Sequence, residues 1–215
     1  MVCLSELVDS TRELSAERAQ LVAEVRTHFD LIWGTKIPAQ MRYVHLLKQS
    51  LDELAEVRDW LRRNLCGQVL VDLGCGLESS RKVMVRIARE FGVIGYVGVD
   101  YSPGEFPEFF PIDDQPTENQ NEFPIFVRKG DMLQVATALH ANQVNFVLNG
   151  IDIQIISKTN YRTARLGETV RATKPEGVVF GFNMAYGNGI PSGTSSLTEI
   201  YKQGNWDFVG FEKKG

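Results

Sequence analysis

The stretch Gly67–Ser80, read as G-Q-V-L-V-D-L-G-C-G-L-E-S-S, constrains the fold more than any other part of the chain. Val69 to Leu73 is a short apolar run bounded by Gly67 and by a glycine-rich turn, the pattern of a fully buried strand. The next residues, Arg81 to Phe91, place Val83, Ile87 and Phe91 at helical spacing, and Ser79 or Ser80 would serve as an N-cap. A strand, a glycine turn and a helix in this order turn backbone N–H groups and a helix N-terminus toward a ligand.

A second strand, Gly95–Val99, ends in Asp100, and Asp72 stands two residues ahead of Gly74. Together V-D-L-G-C-G and G-Y-V-G-V-D resemble motif I and the second acidic motif of class I S-adenosylmethionine-dependent methyltransferases. Dinucleotide-binding folds share the layout, but their G-x-G-x-x-G fingerprint would need a glycine where this chain has Ser79. Glu78 stands where many members of the methyltransferase family have a third glycine. The resemblance runs from about Gly67 to Gly181. It includes Lys129-Gly130-Asp131-Met132 after the third strand and A-T-K-P-E-G-V-V-F-G-F leading into the fifth. It implies an α/β fold, a doubly wound, mostly parallel, Rossmann-like sheet.

The helical pattern ahead of that sheet is extensive. Ala16 to Trp33 carries Leu21, Val25, His28, Phe29 and Ile32 on one stripe, and Gly34 stops it. Pro38 opens a second, longer helix that runs to about Leu65. We therefore divide the chain into an N-terminal helical extension or cap, 1–66, and an S-adenosylmethionine-binding α/β domain, 67–215. The loop Trp33–Ile37 is either a cover for the cofactor or a packing element.

Beyond Asp100 the proline-rich, acidic stretch Tyr101–Gln120 forbids a long regular helix and reads as an ordered loop with a polar tip. Glu122–Arg128 is the third strand, Met132–His140 a short helix, Val144–Leu148 the fourth strand, Thr159–Thr173 a helix and Val178–Asn183 the fifth strand. Ser195–Lys202 reads as one or two helical turns and Trp206–Lys213 as a strand. The family fold has a sixth strand and an antiparallel seventh, so this reading leaves the C-terminal strand set one strand short. Unpaired backbone at such an edge would be covered by a homodimer or by the N-terminal helices.

In a doubly wound sheet the ligand lies beyond the carboxyl ends of the strands. Asp72–Gly76, Asp100, Asp131 and Asn149–Asp152 all fall there. The resemblance implies these roles. Gly74 and Gly76 admit the cofactor's methionyl part and ribose, with Cys75 contributing mainly backbone. Asp72 holds the ammonium, Asp100 accepts the ribose hydroxyls, Tyr101 stacks on adenine, and Asp131 and Met132 meet its edge. Asn149 lies near the methyl group. Asp152, Asn149, Asn183 and Tyr186 are candidates for substrate contact, and no catalytic base is singled out. Each acid also has a structural reading: Asp72 and Asp100 as turn formers, Asp131 as a helix N-cap, Asn149 and Asp152 as loop hydrogen-bonders.

Composition narrows the partners. The 215-residue chain has a formal net charge of −4, so no global basic field favours nucleic acid. Its three cysteines form no C-x-x-C pair and no metal cluster stands out, while an odd count suits a reducing compartment. The N-terminus lacks a secretory pattern, and no stretch approaches the ~20 apolar residues of a membrane span. The expectation is a cytoplasmic enzyme with a small-molecule or protein substrate. Leu148-Asn149-Gly150-Ile151 replaces the family's N-P-P-Y-type motif, which argues against that amino-methylating class. Two alternatives stand beside it: a cofactor-binding or degenerate module acting through protein contacts, and a nicotinamide-dependent oxidoreductase.

Overall fold

The computed structural model describes residues 6–33, 51–53, 55–76, 78–100, 123–148, 159–182, 197–202 and 208–214. Among them are five helices: α1 (Ala16–Trp33), α2 (Ala55–Leu65), α3 (Glu78–Glu90), α4 (Met132–Ala138) and α5 (Thr159–Ala172). The strands are β1 (Val69–Leu73), β2 (Gly95–Asp100), β3 (Ile125–Lys129), β4 (Asn145–Val147), β5 (Val178–Phe182), β6 (Leu197–Lys202) and β7 (Phe208–Lys213).

The seven strands form one sheet in the order β3-β2-β1-β4-β5-β7-β6. The first five run parallel, and β7 is antiparallel to both β5 and β6. This is a doubly wound, mostly parallel, Rossmann-like sheet. Parallel strands need covering layers on both faces, which explains why their sequences are almost continuously apolar. All five residues of β1 and all six of β2 are buried.

Alternation along the strands divides the core in two. On one face Val69, Val71, Leu73, Val97, Val99 and Phe146 pack against α1, α4 and α5. On the other, Leu70, Tyr96, Ile125, Val127, Val178 and Phe180 meet α2 and α3. In α2 the stripe is Val57, Trp60, Leu61 and Leu65, at the three- and four-residue steps that keep one helix face inward. Helices from the N-terminal segment thus contribute to the core on both sides of the sheet.

Two expectations are corrected. Ser195–Lys202 was expected to be helical, yet Leu197–Lys202 is the edge strand β6, paired with β7. A bulge between Glu199 and Tyr201 interrupts the ladder. Thr198, Ile200 and Tyr201 favour extended backbone, and pairing with β7 supplies hydrogen bonds that no local pattern announces. The C-terminal strand set is therefore complete, and the chain itself fills the edge thought to be open. In addition, α3 begins at Glu78, so Ser79 and Ser80 lie within the helix and not at its cap. Of the long second helix, 51–53 and 55–65 are described; its earlier part, the Trp33–Ile37 loop beyond Trp33, and the Tyr101–Gln120 stretch lie outside the described residues.

The N-terminal segment is fastened by backbone and by charge. Asp9 N–H donates to Ala138 O (2.8 Å) and His140 N–H to Leu7 O (2.9 Å), bracketing a bridge between Val8 and Leu139. Behind it, the buried Glu168 of α5 receives Arg12 (3.3 Å), Arg171 (2.5 Å) and Arg18 of α1. Arg171 also donates to the carbonyls of Ala136, Thr137 and Leu139, and Arg12 to Thr137 O. These are the carbonyls that the end of α4 leaves without an intrahelical partner. Burial pushes the Glu168 carboxyl up, but hydrogen bonds from Arg171 and Arg18 outweigh it and hold the group below its usual value.

Glu168→Ala would leave three guanidinium groups facing one another without their counter-charge. It is expected to lower the unfolding free energy by about 3–5 kcal/mol in urea titrations at pH 7. Because the folded-state value is depressed, this contribution is present above the usual glutamate value of 4.5 and is lost as pH falls through the folded one. The gap between wild type and variant should close in acid.

Candidate active site

Parallel pairing aligns the carboxyl ends of β1, β2 and β3, and an acidic residue stands at or beside each end. Asp72, Asp100 and Asp131 are only 2%, 5% and 6% exposed. Ionised carboxylates in such places need donors, and each one has found them differently.

Asp100 ties the three tips together. Its Oδ2 accepts the N–H of Gly76 (2.7 Å), and its backbone carbonyl accepts the N–H of Gly130 (2.9 Å). The turn after β1 also closes on β2: Val99 O accepts from both Gly74 (2.8 Å) and Cys75 (3.0 Å). Gly74 and Gly76 take φ of 93° and 69°, which a side chain would strain. All three turn amides are therefore spent within the protein.

Asp72 lies one strand over. It pairs in register with Gly98, and Leu70 pairs with Tyr96, so Asp72, Tyr96, Gly98 and Asp100 share one face of the sheet. Tyr96 reaches along that face and donates its hydroxyl to Asp72 Oδ2 at 2.5 Å. Gly98 makes the reach possible. A Cβ there would stand 3.0 Å from Cys75 Sγ and 3.1 Å from Tyr96 Cε1. Asp72 Oδ1 is buried with no hydrogen-bond partner among the described residues. Burial raises the Asp72 carboxyl to about 7; the Tyr96 hydroxyl opposes this, Asp100 adds to it, and Arg81 of α3 opposes it. The same burial pushes the Cys75 thiol and the Tyr96 phenol well up, so both keep their protons.

Asp131 is the N-cap of α4. Its Oδ1 accepts from Leu133 N–H (2.8 Å) and Gln134 N–H (3.2 Å). Tyr161 of α5, itself buried, places its hydroxyl within 3.0 Å of Oδ1 and 2.9 Å of Oδ2. Burial raises this carboxyl too, against the Tyr161 and amide hydrogen bonds and the charge of Arg165. Arg165, 3% exposed, has Nε and Nη1 without hydrogen-bond partners.

The sequence-predicted residues Asp72, Gly74, Cys75, Gly76, Asp100, Asp131 and Met132 thus meet along one rim of the sheet. The Cys75 backbone N–H is turned to Val99 O, and its side chain lies buried beside Gly98. Met132 opens α4 and packs half-buried against the core. Tyr101, Asn149, Asp152, Asn183 and Tyr186 lie outside the described residues. Sequence reasoning missed Tyr96, Tyr161 and Arg165. Period-two alternation from Asp100 through Gly98 to Tyr96 carried a signal for the first. Nothing local marked the other two. His140 is half-exposed, 3.9 Å from Asp9 and far in role from any of these groups.

No family model matches the chain, and no curated protein matches it. Among solved structures it is similar to a candidate methyltransferase, yhhF from Escherichia coli, at 9% identity with a TM-score of 0.49, over 76% of this chain and 86% of that one. It is also similar to a candidate class I S-adenosylmethionine-dependent methyltransferase from Listeria monocytogenes, at 12% identity and a TM-score of 0.48, over 92% and 69%. A SAM-dependent methyltransferase from Archaeoglobus fulgidus aligns at 15% identity and a TM-score of 0.39 over 60% of this chain, which spans 50% of that protein's length.

Because the folded-state value of Asp72 is raised from 3.8 to about 7, its contribution to stability is full below the lower figure and is lost as pH rises through the upper one. Wild type should therefore lose up to about 1.4 kcal/mol per pH unit on this account as pH climbs toward neutrality. Asp72→Asn should lack that component, so its denaturant midpoint, relative to wild type, should rise between pH 5 and pH 8.

Proposed function

We propose that the chain is an S-adenosylmethionine-dependent methyltransferase acting on a small molecule or a protein side chain. The observation that carries this reading is Asp72 Oδ1, a buried carboxylate oxygen without a hydrogen-bond partner among the described residues, at the tip of β1 beside a turn with positive φ at Gly74 and Gly76. A buried anion left open calls for a cation, and the cofactor's amino-acid end supplies an ammonium. The sheet order, with an antiparallel β7 between β5 and β6, supports the same reading.

The nicotinamide alternative fits less well on physical grounds. A pyrophosphate needs free turn amides and tolerates no anion at the turn. Here the N–H groups of Gly74, Cys75 and Gly76 are directed to Val99 O and Asp100 Oδ2, and Asp72 and Asp100 add negative charge.

In this reading Asp72 holds the ammonium and Asp100, at the end of β2, meets the ribose hydroxyls. Asp131, fixed by its capping bonds and Tyr161, takes the adenine edge beside Met132. The bound cofactor would supply a sulfonium methyl as electrophile. The protein's part is then to align an acceptor with it and to keep water out. Tyr101 and Asn149 remain candidates for the cofactor's surroundings, and Asp152, Asn183 and Tyr186 for the acceptor's. The net charge of −4 disfavours a nucleic-acid acceptor.

Isothermal calorimetry tests the reading. S-adenosylhomocysteine should bind with a Kd on the order of micromolar, and NADH should give no heat. Asp72→Ala should weaken the former about tenfold or more at pH 8. Binding of NADH with none of S-adenosylhomocysteine would sink the proposal. Binding with no methyl transfer to any acceptor would point to a module that uses the cofactor without turning it over.

A further inference from the structure

Tyr96 stands outside every role assigned above. It is buried in β2, four residues from Asp100 at the end of its own strand, and its hydroxyl donates to Asp72 Oδ2 at 2.5 Å. A carboxylate has two oxygens and several lone pairs, and without an anchor it can rotate about its terminal torsion. One short bond from a neighbouring strand removes that freedom and leaves Oδ1 as the single open acceptor. Gly98, in register with Asp72, is the residue whose missing side chain lets the ring lie over β2 and reach β1.

We propose that Tyr96 is a positioning residue for the cofactor's ammonium: it clamps Oδ2 of Asp72, favours the ionised acid, and presents Oδ1 to the cation. This inference rests on the methyltransferase reading and adds a regulatory consequence, that cofactor affinity is gated by pH through one hydrogen bond. The groups that face Asp72 are Tyr96 and Asp100 of β2, Cys75 of the turn and Arg81 of α3. The Cys75 thiol is neutral across the physiological range, and Asp100 and Arg81 push in opposite directions. Tyr96 is the neighbour that bonds the acid directly. Its phenol cannot ionise in this range because burial holds its proton in place, so it acts as a fixed donor.

Ionised Asp72 attracts an ammonium and protonated Asp72 does not. Affinity should therefore fall as pH drops through the Asp72 titration, near 7 in wild type. Removing the hydroxyl takes away a hydrogen bond to the charged form, so the titration moves upward.

The experiment measures S-adenosylhomocysteine binding by calorimetry from pH 5.5 to 8.5 for wild type, Tyr96→Phe and Gly98→Ala. A parallel series uses methylthioadenosine, which carries the adenosyl group without the ammonium. Wild type should show an acid limb for S-adenosylhomocysteine and a flat profile for methylthioadenosine. Tyr96→Phe should shift the midpoint up by about one pH unit, with about fivefold weaker binding at pH 7 that largely recovers at pH 8.5. Gly98→Ala should shift it in the same direction by displacing the ring, and keeps the test alive if the Phe variant folds poorly. A merely structural role for Tyr96 would lower affinity equally at every pH. Unmoved midpoints in both variants, or an identical limb for methylthioadenosine, would overturn this inference while leaving the methyltransferase reading intact. Failure of wild type to bind S-adenosylhomocysteine at any pH would overturn both.

Discussion

The structure depends on burying three carboxylates at adjacent strand tips. Taking an ionised carboxyl out of water costs several kcal/mol unless hydrogen bonds replace the lost hydration. Among the described residues, the Gly76 amide contributes to that replacement at Asp100, two amides of α4 and the Tyr161 hydroxyl supply it at Asp131, and the Tyr96 hydroxyl supplies it at Asp72. The first two acids are also architectural. Asp100 locks the turn after β1 to the end of β2, and Asp131 starts α4. Asp72 keeps one buried oxygen, Oδ1, without a hydrogen-bond partner among the described residues.

Rigidity at that rim comes from the layers beneath it. The parallel strands are buried on both faces, and the N-terminal segment helps to bury them. Arg12 and Arg18 converge with Arg171 on Glu168, while Arg171 and Arg12 satisfy the open carbonyls at the end of α4. One buried glutamate thereby joins the N-terminal segment, α1 and α5, and its arginines brace the helix that Asp131 caps. Side chains at a site hold their geometry only when the elements carrying them are fixed. Here the fixing reaches from residue 12 to residue 171 through charge-assisted bonds.

Much of the framework was legible because its signals are local. Val69–Leu73 is apolar except for Asp72 and is punctuated by Gly67 and Gly74, so its limits could be read directly. Leu21 and Val25 gave the inward stripe of α1, and the helix spans the residues that the pattern indicated. The edge strand β6 was not legible. Its six residues are stabilised by pairing with β7, a partner that the residue pattern of Leu197–Lys202 does not itself announce. The reading of the rim was similarly uneven. Asp72, Asp100 and Asp131 could be placed at strand ends by counting, but what each oxygen bonds to could not.

By itself the sequence determined which residues reach the carboxyl rim, since strand length, glycine turns and alternation are short-range properties of the chain. Tertiary structure alone decided which acids are satisfied and which is left open. Tyr96 meets Asp72 only because β1 and β2 pair in one register, Tyr161 meets Asp131 only because α5 packs on α4, and the three arginines meet at Glu168 only when the N-terminal segment docks. Hydrogen bonds between distant residues follow from packing, and packing is a property of the whole chain.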